Sequence, residues 1–229
     1  MFPRRLGELG MQFSEIEARA VEKHGREALE DRLSPVVSAA EVEAIPADRF
    51  LSEATKVIFQ AGFSWSLIDK KWPNFEAAFE GFDVHRWSMM GEEDLDRLLK
   101  TDGIVRNAGK LLSVGKNALY FRDIITEHGS VGAFFASWKS EDFFENLSAM
   151  QKRTNRLGAK TGQIFLRRMG VESVVLSNDV VNALIGAGIV ARAPTAKKDL
   201  ASVQAALNDW REESGRSLSQ ISQILALSV

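Results

Sequence analysis

A basic turn and an acid that follows it about twenty residues later are the residues of this chain best suited to chemistry. The turn, Leu157-Gly158-Ala159-Lys160-Thr161-Gly162, opens a predicted helix. The first N–H groups of a helix lack partners within the helix, so a turn of this kind can bind a phosphate. Six cations and no acid lie between Met150 and Val171, although the formal net charge of the chain is −2. We therefore expect a local phosphate-binding patch, with contacts from Gly158, Lys160, Thr161 and Gly162.

The acid is Asp179, in Leu176-Ser177-Asn178-Asp179-Val180-Val181, and it has two interpretations. A carboxylate in the first turn of a helix is favoured by the helix dipole, a contribution of a few tenths to about 1 kcal/mol. Alternatively, a carboxylate held beside a developing positive charge can accelerate a reaction by ~100–1000-fold. The residues alone leave both interpretations open.

Composition limits the other classes of site. The chain has 229 residues, 45% apolar and 26% charged, which is typical of a globular protein of one large domain or two small ones. With no cysteine, disulfides, iron–sulfur clusters and thiolate zinc sites are excluded. The three histidines lie far apart, so we expect no metal and no cofactor. The N-terminus has no signal-peptide pattern and no apolar run approaches eighteen residues, so we expect a cytoplasmic protein without a membrane partner.

The apolar periodicity is helical nearly throughout and predicts an all-α protein of about ten short helices. One helix is predicted from Asp48 as N-cap to a stop at Gly62, and Pro73 is expected to start a new helix. The apolar link around Val175 is too short, and has no partner elsewhere, for a sheet. Further helices are predicted at 92–100, 107–128, 131–138, 141–152, 161–169, 178–186 and 197–214, with a last one from Ser217.

Four segments, in this order, resemble the 3-methyladenine DNA glycosylase I family. They are Phe59-Gln60-Ala61-Gly62-Phe63-Ser64-Trp65, the stretch from Trp72 to Asp83, the stretch from Met90 to Leu99, and the stretch from Gly103 to Lys110. The resemblance covers roughly residues 15 to 185, and the tail from Ala193 lies outside it.

The resemblance implies an all-α, helix-hairpin-helix DNA glycosylase fold with two helical lobes and a cleft between them. We expect a single such domain over residues 1–229, with the hairpin and its following helix at about 150–186 and further helices at 195–229. Proteins of this family excise alkylated bases such as 3-methyladenine from duplex DNA by flipping the nucleotide, in base excision repair. We expect a monomer that binds alkylated duplex DNA. Because Lys160 lies within the phosphate-binding turn and no other hairpin lysine is placed as a Schiff-base nucleophile, a monofunctional enzyme is expected.

Roles follow residue by residue. By the resemblance, Trp65 stacks on the flipped base, Phe63 wedges into the duplex, and Gln60 and Ser64 line the approach to the base. Asp179 stands where the wider superfamily has its catalytic aspartate. Without the resemblance, Trp65 and Phe63 would be interpreted as core aromatic residues. The polar turn at 103–110 contains two cations, Arg106 and Lys110. We expect each either to contact backbone phosphate or to be an ordinary surface residue.

The chain departs from the family at two points. The glutamate that reads the base falls on Val57, and the zinc ligands, two cysteines and two histidines, are absent. Val57 indicates either a more apolar pocket for a different lesion or a pocket that no longer works. The alternative function is therefore a non-catalytic DNA-damage-binding module of the same fold. A third possibility, a helical interaction protein, predicts no salt-dependent binding to duplex DNA.

Overall fold

The computed structural model describes residues 10–229, and this part of the chain is helical, with no β-strand. The all-α prediction is confirmed, but several helices of only four to six residues bring the number above ten. The fourteen α-helices of the described residues are α1 (Phe13–His24), α2 (Arg26–Glu30), α3 (Ala39–Glu43), α4 (Ala47–Gln60), α5 (Trp65–Ala78), α6 (Val84–Trp87), α7 (Glu92–Lys100), α8 (Ala108–His128), α9 (Val131–Ala136), α10 (Phe143–Arg153), α11 (Ala159–Arg168), α12 (Asn178–Gly186), α13 (Lys197–Ser214) and α14 (Leu218–Leu227). Short 3-10 turns lie at Glu80–Phe82 and Ser140–Asp142.

Local capping explains several helix starts. The side chains of Asn107, Ser130, Ser177 and Ser217 each accept a backbone N–H of the helix that follows. The N-cap expected at Asp48 is wrong, because α4 begins at Ala47 and the cap residue is Pro46. A proline there fixes an extended backbone before the helix.

The break expected at Pro73 is also wrong, because α5 runs through it from Trp65 to Ala78. A proline inside a helix costs about 3 kcal/mol. Packing around it offsets this cost, since Phe75 is fully buried and the rings of Trp72 and Phe75 stack with centroids 5.1 Å apart. The indole N–H of Trp72 also donates to Glu76 across one helical turn (3.1 Å).

The described chain divides into two compact units. One contains residues 10–36, 139–146 and 172–229, so the two ends of the described chain meet in it. There α1 and α12 each pack on α14. The link around Val175 is extended but forms no strand, because backbone N–H groups of Ser173 and Val175 donate to the side chains of Ser219 and Ser222 on α14.

The other unit contains residues 37–138 and 147–171. Its core is aromatic: the ring of Phe50 lies within 6.4 Å of the rings of Phe121, Phe135 and Phe165. Helix α8 contacts α4, α6, α7 and α9, and α11 packs on α4. These contacts fix the ends of α4 and α11, from which the candidate site is built.

Among residues 10–229, no helix combines the length and apolar character needed to cross a membrane.

Candidate functional site

The loop between α4 and α5 exposes three large apolar side chains within five residues. Phe63 is 40% exposed, Trp65 50% and Leu67 43%. The chain turns away from α4 at Gly62, whose φ of +81° favours glycine. Helix α5 then starts at Trp65, with Ser64 as its N-cap residue. The end of the loop and the first turn of α5 therefore present an apolar, largely aromatic surface to solvent.

The buried side chain of Lys110 stabilises the backbone of this loop. The ammonium of Lys110 donates to the carbonyl oxygens of Ala61 (2.6 Å) and Phe59 (3.2 Å) and lies 4.6 Å from the ring centroid of Phe63. Burial lowers the pKa of Lys110, and the nearby charge of Arg156 lowers it further. Lys110 is therefore buried and bonded to two carbonyl groups at the end of α4, which differs from the expected surface position. Its contact with a phosphate stays a prediction.

Trp65 carries a cation on its ring. The guanidinium of Arg168, from the last turn of α11, lies 4.8 Å from the centroid of the Trp65 ring. Its Nη1 donates to Glu53 Oε1 (2.9 Å) and to Gln60 Oε1 (2.7 Å), both on α4. Gln60, expected to line the base pocket, is only 3% exposed and donates its own amide N–H to Asp69 Oδ1 (3.1 Å). Gln60 therefore supports the Trp65 surface from α4.

The two remaining pocket residues differ in exposure. Ser64 is exposed, and its hydroxyl lies 2.9 Å from that of Ser66. Val57 is 4% exposed in the buried face of α4, so it offers a ligand little surface. Whether either residue lines a base pocket stays a prediction.

The turn between α10 and α11 contains two glycines with different environments. Gly158 is exposed, has an ordinary extended backbone (φ −77°), and a Cβ added there would meet no atom within 4 Å. Gly162 is buried inside α11, where a Cβ would lie 2.6 Å from the carbonyl oxygen of Leu157. Its N–H is also bonded to the carbonyl of Gly158 (3.3 Å). Gly162 therefore allows close packing of the helix on the turn, and its N–H is engaged within the protein. A phosphate contact of Gly162 stays a prediction.

The phosphate-binding role of Gly158, Lys160 and Thr161 stays a prediction. Lys160 is exposed in the first turn of α11. The N–H of Thr161 already bonds the carbonyl of Gly158 (3.0 Å), so its hydroxyl is the group left to reach a phosphate.

The basic segment around this turn is partly neutralised. Arg153 pairs with Glu127 (3.1 Å), and Arg168 pairs with Glu53. Arg156 donates to the carbonyl of Gly109 (3.0 Å) at the start of α8. Within residues 10–229, Lys152, Arg156 and Lys160 have no ion pair. The positive surface expected of this segment is consequently smaller than its cation count implies.

Arg106 lies on the surface of the loop before α8. It forms an ion pair with Asp102 and donates to the carbonyl of Thr101 (3.1 Å). Because the pair is exposed, it contributes little and Arg106 can exchange it for a phosphate. Its contact with DNA stays a prediction.

Asp179 belongs to the unit that contains the chain ends. It is exposed in the first turn of α12, two residues after the N-cap Ser177, whose hydroxyl accepts the N–H of Val180 (3.2 Å). No ion pair within the described chain involves Asp179. Its carboxylate therefore faces water, and its two interpretations, helix-dipole acid or catalytic group, both fit this position.

The zinc site of the family resemblance does not fit this chain. There is no cysteine among the 229 residues, so the thiolate ligands cannot be supplied. Among residues 10–229, no group of three or more His, Asp or Glu side chains is placed to hold a metal ion.

Two residues beside Trp65 were not predicted as site residues from the sequence: Arg168, whose guanidinium lies over the Trp65 ring, and Glu53, which pairs with Arg168. Arg168 was counted in the basic segment without a role, and Glu53 was not considered. A partial signal exists for Glu53, which precedes Gln60 by seven residues and so shares a helix face with it. Nothing in the sequence indicates that Arg168, more than a hundred residues later, meets this face.

The sequence of this chain is similar to those of methyladenine glycosylases. A family model described as methyladenine glycosylase matches residues 55–184. The DNA-3-methyladenine glycosylase 1 of Escherichia coli (strain K12) is 42% identical over 59 residues, which is 26% of this chain and 32% of that protein. The match thus spans about a third of the length of this curated relative.

Two solved structures are similar. The Methanocaldococcus jannaschii 8-oxoguanine glycosylase/lyase, in complex with a 15mer DNA containing 8-oxoguanine, aligns with a TM-score of 0.50 and 12% identity, over 92% of this chain and 93% of that one. A 3-methyladenine DNA glycosylase I aligns with a TM-score of 0.49 and 23% identity, over 63% and 87% of the two chains. The first alignment confirms that the fold is that of an all-α DNA glycosylase.

Proposed function

We propose that this chain, which belongs to the methyladenine glycosylase family, is a monofunctional DNA glycosylase that removes alkylated bases, such as 3-methyladenine, from duplex DNA. The observation that carries the proposal is the half-exposed indole of Trp65, within the residues that the family model matches. A base taken out of the duplex needs an aromatic or apolar surface to stack on. The Trp65 side chain is 50% exposed, as such a surface requires.

DNA binding would use two regions of the same unit. Phe63, exposed beside Trp65, is an apolar side chain suited to wedge between base pairs and help unstack them. The turn at Gly158 and Lys160 combines an exposed backbone at a helix N-terminus with a lysine, which suits a phosphate. The proposed partner is alkylated duplex DNA, bound by a monomer.

Asp179 is the proposed catalytic carboxylate. As the bond between C1′ of the sugar and the base nitrogen breaks, positive charge develops on the sugar, and a carboxylate stabilises it. Water then adds to C1′ and gives a proton to a carboxylate or to solvent, while the bonding electrons leave with the base. N-alkylation makes the base a good leaving group, so one exposed carboxylate suffices for this step.

A second candidate, a DNA-damage-binding module without catalysis, is favoured by one observation. Val57, at the position of the family's base-reading glutamate, is apolar and buried. A pocket without that acid could bind distorted duplex without excising a base.

The test is release of free bases from methylated duplex DNA, measured by chromatography for the wild type and three variants. We expect Trp65→Ala to lower the release rate about tenfold or more, because stacking is worth roughly 1–3 kcal/mol per base. Leu67→Ala is the matched control: it removes an equally exposed apolar side chain two residues away and should change the rate by less than about twofold. Asp179→Asn should lower the rate at least about tenfold.

The outcomes separate the functions. Release by the wild type with loss in Trp65→Ala supports the enzyme. No release by any form, with intact binding to methylated duplex, supports the binding module. Both functions require binding to duplex DNA that weakens as the salt concentration rises from about 50 to 200 mM. If no such binding is found, both functions are contradicted. If Asp179→Asn releases bases as fast as the wild type, Asp179 is a helix-dipole acid.

A further inference from the structure

The side chain of Arg168 lies over the face of the Trp65 ring. The Arg168 guanidinium lies 4.8 Å from the ring centroid, a distance at which a cation is attracted by the face of an indole. The same group donates from Nη1 to Glu53 Oε1 and Gln60 Oε1. A planar cation is thus bound by an aromatic face and two oxygen acceptors.

The orientation of one acceptor is determined by its other neighbour. Gln60 is buried, and its amide N–H donates to the carboxylate of Asp69, which can only accept. Asp69 also forms an ion pair with Lys56 (2.9 Å). Gln60 Oε1 must therefore point toward Arg168, so this edge of the site offers two acceptors and no donor.

These features describe the ligand that the site prefers. A guanidinium is flat, positively charged and lined with N–H donors. An N-alkylated adenine held in DNA shares all three properties, since its ring carries a positive charge and its exocyclic amine donates. An uncharged, unmodified base shares the flat shape but has no charge to interact with Glu53.

We propose that Arg168 is an intramolecular competitor for the base, and that Glu53 and Gln60, which bind its guanidinium, are the acceptors for the base that displaces it. This inference rests on the proposed function. It assigns to Glu53, one helical turn before Val57, the carboxylate that position 57 lacks. Arg168 is then a specificity-determining residue, because only a flat cation with donors replaces all of its contacts.

Competition has a measurable consequence. The apparent affinity for a ligand falls by the fraction of molecules whose site is open. The contacts of Arg168 are one cation–π pair with Trp65, one partly exposed ion pair with Glu53 and one hydrogen bond to Gln60. Removing them should raise the affinity for a flat cation roughly three- to tenfold. Arg168→Met keeps a long apolar side chain and removes the charge.

The experiment is calorimetric titration of the full chain with two small probes. One probe is 3,9-dimethyladeninium, which stays cationic because both ring nitrogens are alkylated, and the other is neutral 9-methyladenine. Arg168→Met should tighten binding of the cation three- to tenfold and that of the neutral probe by a smaller factor. In the Arg168→Met background, Glu53→Gln should weaken binding of the cation at least about fivefold and change that of the neutral probe by less than about twofold.

A matched control lies elsewhere in the same unit. The Arg153 guanidinium is 5.2 Å from the ring centroid of Tyr120 and pairs with Glu127. Arg153→Met removes the same kind of arginine–acid–aromatic contact, and we expect it to leave both affinities unchanged. Thermal unfolding of each variant shows that it remains folded.

Three results would overturn the inference. If Arg168→Met lowers the affinity for both probes equally, Arg168 supports Trp65 from behind the bound base. Unchanged probe affinities with weaker binding to duplex DNA mean that Arg168 contacts a phosphate. If Glu53→Gln, introduced in the Arg168→Met background, abolishes the binding of both probes, Glu53 only maintains the local structure.

Failure of the inference is distinct from failure of the proposed function. Probe binding requires no bond cleavage, so Arg168→Met can tighten it even in a protein that releases no base. Conversely, a wild type that releases methylated bases while Arg168→Met gains no affinity retains the proposed function and contradicts the competitor role.

Discussion

The loop between α4 and α5 and the turn between α10 and α11 belong to the same unit and both combine glycine with nearby cations, yet they expose different groups. At the α4–α5 loop the cations are engaged by the protein: Lys110 by two backbone carbonyls, and Arg168 by Glu53 and Gln60. What reaches solvent there is the aromatic surface of Phe63 and Trp65. At the α10–α11 turn Lys160 is exposed, and the backbone of Gly158 is accessible.

The number of cations in a segment therefore does not locate a phosphate site. A cation contributes to DNA binding when it is exposed and can exchange its partner for a phosphate. A buried or tightly paired cation instead shapes the protein around it. The α4–α5 loop is therefore suited to a base and the α10–α11 turn to the DNA backbone.

The largest expected effect separates the two glycines of the turn. Gly162→Ala places a Cβ 2.6 Å from the carbonyl oxygen of Leu157, and because backbone must move to relieve this contact, the free energy of unfolding should fall by about 1–3 kcal/mol. Urea denaturation of the variant and the wild type measures the difference. A Gly162→Ala protein as stable as the wild type would show that the turn is not closely packed.

A smaller effect should appear in DNA binding at the other glycine. Gly158→Ala has open space for its Cβ in the free protein, so a loss of affinity reports the approach of a ligand to the backbone. We expect affinity for duplex DNA to fall several-fold, roughly three to ten, because a methyl group separates the phosphate from the helix N-terminus. Titration of a labelled duplex at one fixed salt concentration measures it.

The control for this prediction is Gly91→Ala. Gly91 is also an N-cap glycine with a negative φ (−111°) and open space around its Cβ. Both variants should therefore lose the same small amount of stability. Equal DNA affinities of the two variants would remove the phosphate site from this turn.

The smallest effect concerns the pH dependence of stability at Lys110. Burial holds the pKa of Lys110 below its usual value, so the folded protein loses this proton at a lower pH than the unfolded chain. The free energy of unfolding should therefore rise with pH between the lowered pKa and the usual lysine value of about 10.4, relative to a variant without the group. Lys110→Met is that variant, and the difference between its stability and that of the wild type cancels the other titrating groups.

Denaturant unfolding of both proteins at several alkaline pH values checks this prediction. A difference that stays constant would mean that Lys110 is solvated and that the α4–α5 loop is not held by a buried charge. A difference that turns against the wild type as pH rises would mean that the two carbonyl groups stabilise the ammonium by more than burial destabilises it, so that the pKa is raised and not lowered.

The local features of this protein follow from its amino-acid sequence alone. Helical periodicity and side-chain caps at Asn107, Ser130 and Ser177 depend on residues three or four positions apart, so they can be read along the chain. The four family segments also placed Trp65 and Phe63 on one loop, and both proved to be exposed there.

Which polar groups are engaged depends on tertiary packing. The bond from Arg168 to Glu53 joins residues 115 positions apart, and those from Lys110 to Ala61 and Phe59 join residues about fifty apart. Packing likewise carried α5 through Pro73 and buried Gly162. Such contacts depend on how helices pack, because the same arginine or glycine serves a surface, a core or a ligand according to what the fold brings beside it.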